Sequence, residues 1–215
     1  MFITKVKMKL ALGDIVIALL LYWLSIIAAD LTTDFTQSEV VPDGISQSPN
    51  ELLTVKYNDK SIQFNEEWTP TNIKNQPKVE WNADPSSYYA IIMTDLDAPK
   101  RSRPAYREML HWLVTNIPGN DISQAYTIAE YVPSGPQIHT GKHRILYTLY
   151  KQPGKLDFDE PKSHNRSLIM RLRFSQKNFS HKYNLGDPIS ANVILVEYDD
   201  YVPILHKEIL RVHSD

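Results

Sequence analysis

The strongest constraint on this chain is a series of short β-type segments, each closed off by turn-forming residues. Leu52–Tyr57, Ser61–Phe64, Lys78–Trp81, Tyr88–Thr94, Met109–Asn116, Ile128–Val132, Arg144–Tyr150 and Pro188–Tyr198 are rich in β-branched, aromatic and aliphatic residues, with Asn, Asp, Gly and Pro between them. Strands this short and this closely spaced suggest a sandwich or a barrel, because each must bury a face against another sheet. Tyr88–Thr94 and Leu110–Val114 are apolar on both faces, as in central strands covered on two sides. Two helices are expected outside the strands. Phe174–Tyr183 has partial helical spacing and stops before Asn184-Leu185-Gly186. Tyr201–Val212 can be capped by Asp200, carries Pro203 in its first turn and sets Val202, Leu205 and Ile209 on one face. At 215 residues with 42% hydrophobic and 22% charged, the chain can bury one proper core but not two full-sized domains.

Several chemistries are excluded at once. There is no cysteine, hence no disulfide, zinc–thiolate site, iron–sulfur cluster or cysteine nucleophile. Gly135 to Lys142 superficially suggests a phosphate-binding loop, but the glycine spacing is one residue too long and His143 stands where Ser or Thr must hold magnesium. No G-x-S-x-G or H-E-x-x-H is present. A net charge of −2 argues against nucleic acid as a partner.

The N-terminus reads as a targeting segment. Lys5, Lys7 and Lys9 precede an apolar run broken by Asp14, and Ile15 to Ala29 is free of charge and ends Ile27-Ala28-Ala29. This is the pattern of a secretory signal peptide cut near Ala29–Asp30; an uncleaved signal anchor over Leu10 to Ala29 is the competing reading. The domain plan is therefore 1–29 leader, 30–49 an extended arm, and 50–215 the folded domain. Asn165-Arg-Ser167 and Asn178-Phe-Ser180 are N-glycosylation sequons that fit export. The expected location is extracellular, with membrane contact only through lipid or an uncleaved leader.

Three polar clusters carry the chemical information. Thr94-Asp95-Leu96-Asp97-Ala98-Pro99 ends the strongest apolar strand, Tyr106 to Trp112 places His111 inside an apolar run, and Tyr131 to Arg144 is a Gly/Pro/His loop ending in His143. Each has a bland alternative: a turn, a hydrogen-bonded core histidine, a hairpin loop. Together, two histidines and two aspartates at strand ends could form a polar cup. Carboxylates would raise the histidine pKa values, and imidazolium, tyrosine and loop N–H groups suit an anion. The same Asp95, Asp97, His111 and His143 could equally hold a metal. Spacing alone leaves both open.

These segments resemble the phosphatidylethanolamine-binding protein family. Its first signature, D-P-D-A-P followed by a Y-R-E-W-x-H-type run, is matched by Asp95-Leu-Asp97-Ala-Pro99 and Tyr106-Arg107-Glu108-Met-Leu-His111. Its second, Y-x-G-x-G-P-P followed by G-x-H-R-Y, is matched by Tyr131-Val-Pro133-Ser-Gly135-Pro136-Gln137 and Gly141-Lys-His143-Arg144-Ile145. The likeness covers about Pro49 to Leu210 and looks like the secreted arthropod branch, some of whose members were named as antennal odorant-binding candidates.

The resemblance implies a mainly β fold, two antiparallel sheets in a β-sandwich with peripheral helices and a C-terminal helix. It implies an anion pocket lined by Asp95, Asp97, Tyr106, His111, Gly135, Pro136 and His143, with His111 and His143 donating to a phosphoethanolamine-type headgroup or other small amphiphile, without cofactor or turnover. It also implies a cis bond at Arg107–Glu108. The alternative is a protein-interaction module that inhibits a kinase or serine protease. Leu96, Gln137, Ile145, Tyr198 and His206 depart from the family pattern. Ile145 removes a pocket hydroxyl beside His143, and His206 is the expected replacement donor.

Overall fold

The structure, a computed structural model, describes residues 12–165, 167 and 170–210. Helix α1 (Leu12–Gln37) and a short helical turn α2 (Val40–Asp43) lead into strands β1 (Glu51–Leu52), β2 (Thr54–Tyr57), β3 (Lys60–Ser61), β4 (Glu66–Trp68) and β5 (Lys78–Glu80). The long strands β6 (Tyr88–Asp95) and β7 (Met109–Pro118) follow, then β8 (Tyr126–Ala129) and β9 (His143–Lys151). Helix α3 (Gln176–Lys182), strand β10 (Ser190–Val196) and helix α4 (Val202–Leu210) complete the chain.

The strands form a seven-stranded sheet, ordered β1-β10-β9-β6-β7-β8 with β4 also on β10, and a three-stranded sheet, β3-β2-β5. The small sheet is antiparallel throughout. The large sheet is not wholly antiparallel as expected, because β1 and β4 each pair parallel with β10. Both are very short strands reached through excursions of the chain, so no hairpin turn dictates their direction.

Alternation along the central strands explains why both their faces are apolar. Ile91, Met93, Trp112, Ile145 and Tyr147 point into the core shared with Val55, Tyr57, Ile73 and Val79 of the small-sheet side. Ala90, Ile92, Leu110, Leu113 and Tyr150 pack on the opposite face under Phe179 and Leu185 at α3. Leu146, Ala191 and Val193 are covered on that face by Leu31, Phe35, Val40 and Ile45. Each fully buried side chain of this size contributes about 1.5–3 kcal/mol.

The N-terminal plan is corrected in one respect. Residues 30–37 are not an extended arm but the end of α1, and their apolar side chains Leu31 and Phe35 are buried on the large sheet. Helical spacing is what lets both reach that one face. Upstream, Ile15, Val16, Ile17, Leu19, Leu20, Leu21 and Tyr22 are exposed. Lys5, Lys7 and Lys9 lie outside the described residues, as does the far end of the second expected helix. No helix among the described residues is long and apolar enough to cross a membrane.

Candidate ligand cavity

Three neighbouring strands bring the polar clusters together. Register places Asp95 at the end of β6 opposite Met109 on β7 and Ile145 on β9, so His111 and His143 flank it at one end of the large sheet. The Arg107–Glu108 bond that enters β7 is cis, as the resemblance implies. A cavity of about 320 Å³ opens at this sheet end, within the range of small-ligand sites. Asp95, Tyr106, His111, Gly135, Pro136, His143 and His206 all line it. Its remaining wall is largely apolar: Ala98, Pro99, Met109, Val132, Pro133, Leu172, Leu205 and Ile209, with Gln137.

Asp97 is the expected site residue that does not line the cavity. It is fully buried behind the pocket, where its carboxylate accepts from Arg144 Nε at 2.9 Å, Arg144 Nη2 at 2.6 Å and Arg107 Nη2 at 3.2 Å. Burial works against its charge, but the Arg144 bonds outweigh burial and hold the carboxyl below its ordinary value. Its role is structural: its N–H donates to Asp95 Oδ1 at 2.7 Å, which fixes Asp95. With Asp97 so committed, no cluster of three or more metal-ligating groups exists among the described residues.

The two histidines have opposite electrostatics. His143 places Nδ1 at 2.7 Å from Asp95 Oδ2 and Nε2 at 3.0 Å from Thr140 Oγ1. The Thr140 hydroxyl donates to the Gln137 carbonyl at 2.7 Å, so toward His143 it accepts. Both His143 nitrogens are thus engaged, one by the Asp95 carboxylate and the other by the Thr140 hydroxyl. Burial opposes a charge on the ring, yet the bond to Asp95 and its carboxylate field prevail, raising the pKa. His111, only 2% exposed, donates Nδ1–H to the Val132 carbonyl at 2.9 Å, and its Nε2 is buried without a partner. Burial pushes its pKa down to about 4; Asp95 acts the other way, but Arg171 and His143 add to the fall. Arg171 is fully buried behind it and donates to the Leu110 and His111 carbonyls.

Of the two imidazoles expected to donate to an anion, His143 has both nitrogens bonded within the protein, to Asp95 and Thr140, and His111 keeps Nε2 without a partner. Ile145, which stands where the family has a pocket tyrosine, is fully buried in the core between the sheets and does not line the cavity. His206 is not a spare donor, because its Nε2–H is given to the Gly135 carbonyl at 3.1 Å. That bond ties α4 to the Gly-Pro loop. Gly135 packs closely on α4: an added Cβ would lie 2.8 Å from Leu205 Cδ2, and that side chain would have to shift.

Sequence reasoning missed the apolar wall. Leu205 and Ile209 were legible as one face of a helix, though not as a cavity wall. Leu172 sits in an irregular segment with no periodic signal. Thr140 was unremarkable until the fold placed its hydroxyl on His143.

The chain matches the family model described as phosphatidylethanolamine-binding protein over residues 46–192. A Drosophila melanogaster protein named as a candidate odorant-binding protein, A5, is 41% identical over 177 residues, 82% of this chain and 84% of that one. The solution structure of CG7054 shares 41% sequence identity at a TM-score of 0.66, covering 80% of this chain and 98% of that one. Carboxypeptidase Y inhibitor, solved with its cognate proteinase, has a TM-score of 0.69 over 80% of this chain and 97% of its own, at 18% identity, a likeness of fold alone.

Proposed function

The chain belongs to the phosphatidylethanolamine-binding protein family, and on that premise we propose that it binds a small amphiphile in the cavity beside His111 and His143 and releases it unchanged. The observation that carries this reading is the cavity's division into an apolar wall and one polar end. A ligand tail would lie against Leu172, Leu205 and Ile209, and its head would meet Asp95, His111 and Tyr106. The 41%-identical relative named for odorant binding is in keeping with such a ligand.

Proton positions speak against turnover. Thr140, His143 and Asp95 are spaced like a hydroxyl–imidazole–carboxylate relay. The Thr140 hydroxyl, however, donates to the Gln137 carbonyl, so its proton is not directed at His143. Thr140 is also not part of the cavity wall.

We read the protein as exported. Ile15, Val16, Ile17, Leu19, Leu20, Leu21 and Tyr22 are exposed, whereas Leu31 and Phe35 pack on the large sheet, so a cut near Ala29–Asp30 would keep that packing. Asn165 and Asn178 are exposed, as glycan acceptors must be. Inhibition of a protease or kinase has behind it only a fold shared at 18% identity with an inhibitor.

The test is equilibrium titration of the purified protein with octyl amphiphiles and with phosphoethanolamine, followed by mass spectrometry of the recovered ligand. Stoichiometric binding of an intact ligand is expected, and Leu172→Trp, which narrows the cavity from a half-exposed position, should weaken it at least tenfold. Binding unaffected by Leu172→Trp would place the ligand elsewhere, and conversion of the ligand would make the protein an enzyme.

A further inference from the structure

We propose that residues 38–43, which precede the stretch matched by the family model, form a strap that sets the cavity wall from behind, with Asp43 as its positioning residue; this rests on the binding reading above and adds how that site is held in shape.

The wall in question is the neck of the loop between β6 and β7. Ala98 and Tyr106 both line the cavity and are joined across that neck, where Tyr106 N–H donates to the Ala98 carbonyl at 3.0 Å. The base of the loop is held by Arg107, whose Nε donates to the Leu96 carbonyl and whose Nη2 lies 3.2 Å from Asp97 Oδ1. Arg144 takes the same Asp97 oxygen at 2.6 Å. Two guanidinium groups thus share one carboxylate, and the strap supplies the second: Asp43 Oδ1 is 2.7 Å from Arg107 Nη1, and its Oδ2 is 2.7 Å from Arg144 Nη2. Without the Asp43 charge, two cations would face one anion. The Arg144 side chain, 1% exposed, has nowhere to go, whereas that of Arg107, 24% exposed, can turn to solvent. In doing so it would give up the Leu96 carbonyl and release the neck.

Backbone contacts and packing point the same way. The Ser38 carbonyl accepts from Arg144 Nη1 at 2.9 Å and from Arg101 Nη2 at 3.3 Å, so the strap also reaches the loop beyond its neck. Glu39 pairs with Arg101 at 2.8 Å, but both side chains are exposed and salt screens such a pair, which leaves Asp43 as the anchor. Beside Asp43, Gly44 lies close on the loop base: an added Cβ would come within 2.9 Å of Leu96 Cδ2 and 2.7 Å of Leu146 Cδ2. Leu96 stands where the family signature has proline. Its N–H donates to the Arg144 carbonyl at 3.0 Å, a bond that proline cannot make, and its side chain is fully buried in the cluster of Phe35, Val40 and Ile45. The departure at position 96 therefore ties the loop base to Arg144 through a contact that the family residue lacks.

The experiment titrates the full chain calorimetrically at pH 7 with octan-1-ol and with phosphoethanolamine, alongside Asp43→Asn, Asp43→Glu and Leu31→Ala. Asp43→Asn is expected to weaken binding of whichever probe the unmodified protein takes up by about tenfold. Asp43→Glu, which restores the charge, should recover most of that loss. Leu31→Ala removes packing from the same N-terminal cover but no charge from the strap, so it should lower Tm and leave the affinity unchanged. Should Asp43→Asn fail to fold, NMR of the unmodified protein gives an independent reading: the amide resonances of Glu39, Asp43 and Gly44 should shift together with those of Ala98 and Tyr106 as the probe is added. Unchanged affinity in Asp43→Asn, an equal loss in Leu31→Ala, or shifts confined to Ala98 and Tyr106 would overturn the strap and leave the binding function standing. Failure of the unmodified protein to take up either probe would overturn both.

Discussion

At the scale of single residues, burial is similar for His111 and His143 but their partners are not. His143 faces a carboxylate and is raised; His111 faces a carbonyl, with Arg171 behind it, and falls to about 4. Asp95→Asn should therefore lower the His143 pKa, which a proton NMR titration of the imidazole resonances reads directly; an unchanged value would separate Asp95 from the charge on His143. Glu108 is a third buried group, bonded to Thr94 Oγ1 at 2.9 Å and to Gln176 N at 2.8 Å and Nε2 at 2.6 Å. Burial pushes its pKa from 4.5 to about 7, against the pull of those bonds. A raised carboxyl favours the folded state fully below its unfolded value and loses that contribution as pH rises through about 7. Glu108→Gln should remove that slope, on the order of 3 kcal/mol between pH 4.5 and 8, measured by urea unfolding across the range. His111 acts in the opposite sense: its neutral form contributes fully above about 6.5 and is lost as pH falls toward about 4.

Among the elements, α4 and the Gly-Pro loop make one side of the cavity together. The His206–Gly135 bond and the close approach of Leu205 to Gly135 mean that the loop sets the position of the helix. Gly135→Ala should push α4 outward and weaken octan-1-ol binding several-fold with a smaller loss of stability, whereas unchanged affinity would show that α4 is not a functional wall. Behind the site, Arg144 is fully buried between Asp97 and Asp43, with its Nη1 donating to the Ser38 carbonyl at 2.9 Å. Removing one member of such a pair strands the other charge, so Asp97→Ala should cost about 3–5 kcal/mol. Thermal unfolding would show this as a large drop in Tm.

For the whole molecule, the consequential finding is how much of the N-terminal region belongs to the fold. The family match begins at residue 46, yet Leu31, Phe35, Val40 and Ile45 cover one face of the large sheet. Asp43 and the Ser38 carbonyl also complete the shell around Arg144. A chain starting at Asp30 should therefore unfold at the same temperature as the full chain. One starting at Ser46 should be insoluble or melt far lower, because it exposes Leu146 and Val193 and leaves Arg144 short of two partners. Equal stability of the two truncations would mean that this cover is dispensable.

The strands were legible because their side chains are dictated locally. Tyr88–Thr94 and Leu110–Val114 are apolar on both faces in any register, so their central place follows from composition alone. Asp95, His111 and His143 were legible as a cluster because charged and imidazole side chains at the ends of such strands need partners. Other features depended on neighbours that no local pattern encodes. Asp97, two residues from Asp95, turns away from the cavity because Arg144 is there to receive it. His111 and His143 share a residue type, but carbonyl, carboxylate and guanidinium groups from distant segments set their proton counts. The short strand Glu66–Trp68 forms only because β10 offers an edge beside it. Local chain chemistry determines where a strand can run and which side chains must find partners; which partner each finds is decided when remote segments pack, since hydrogen bonds and charges act over a few ångströms of space whatever their distance along the chain.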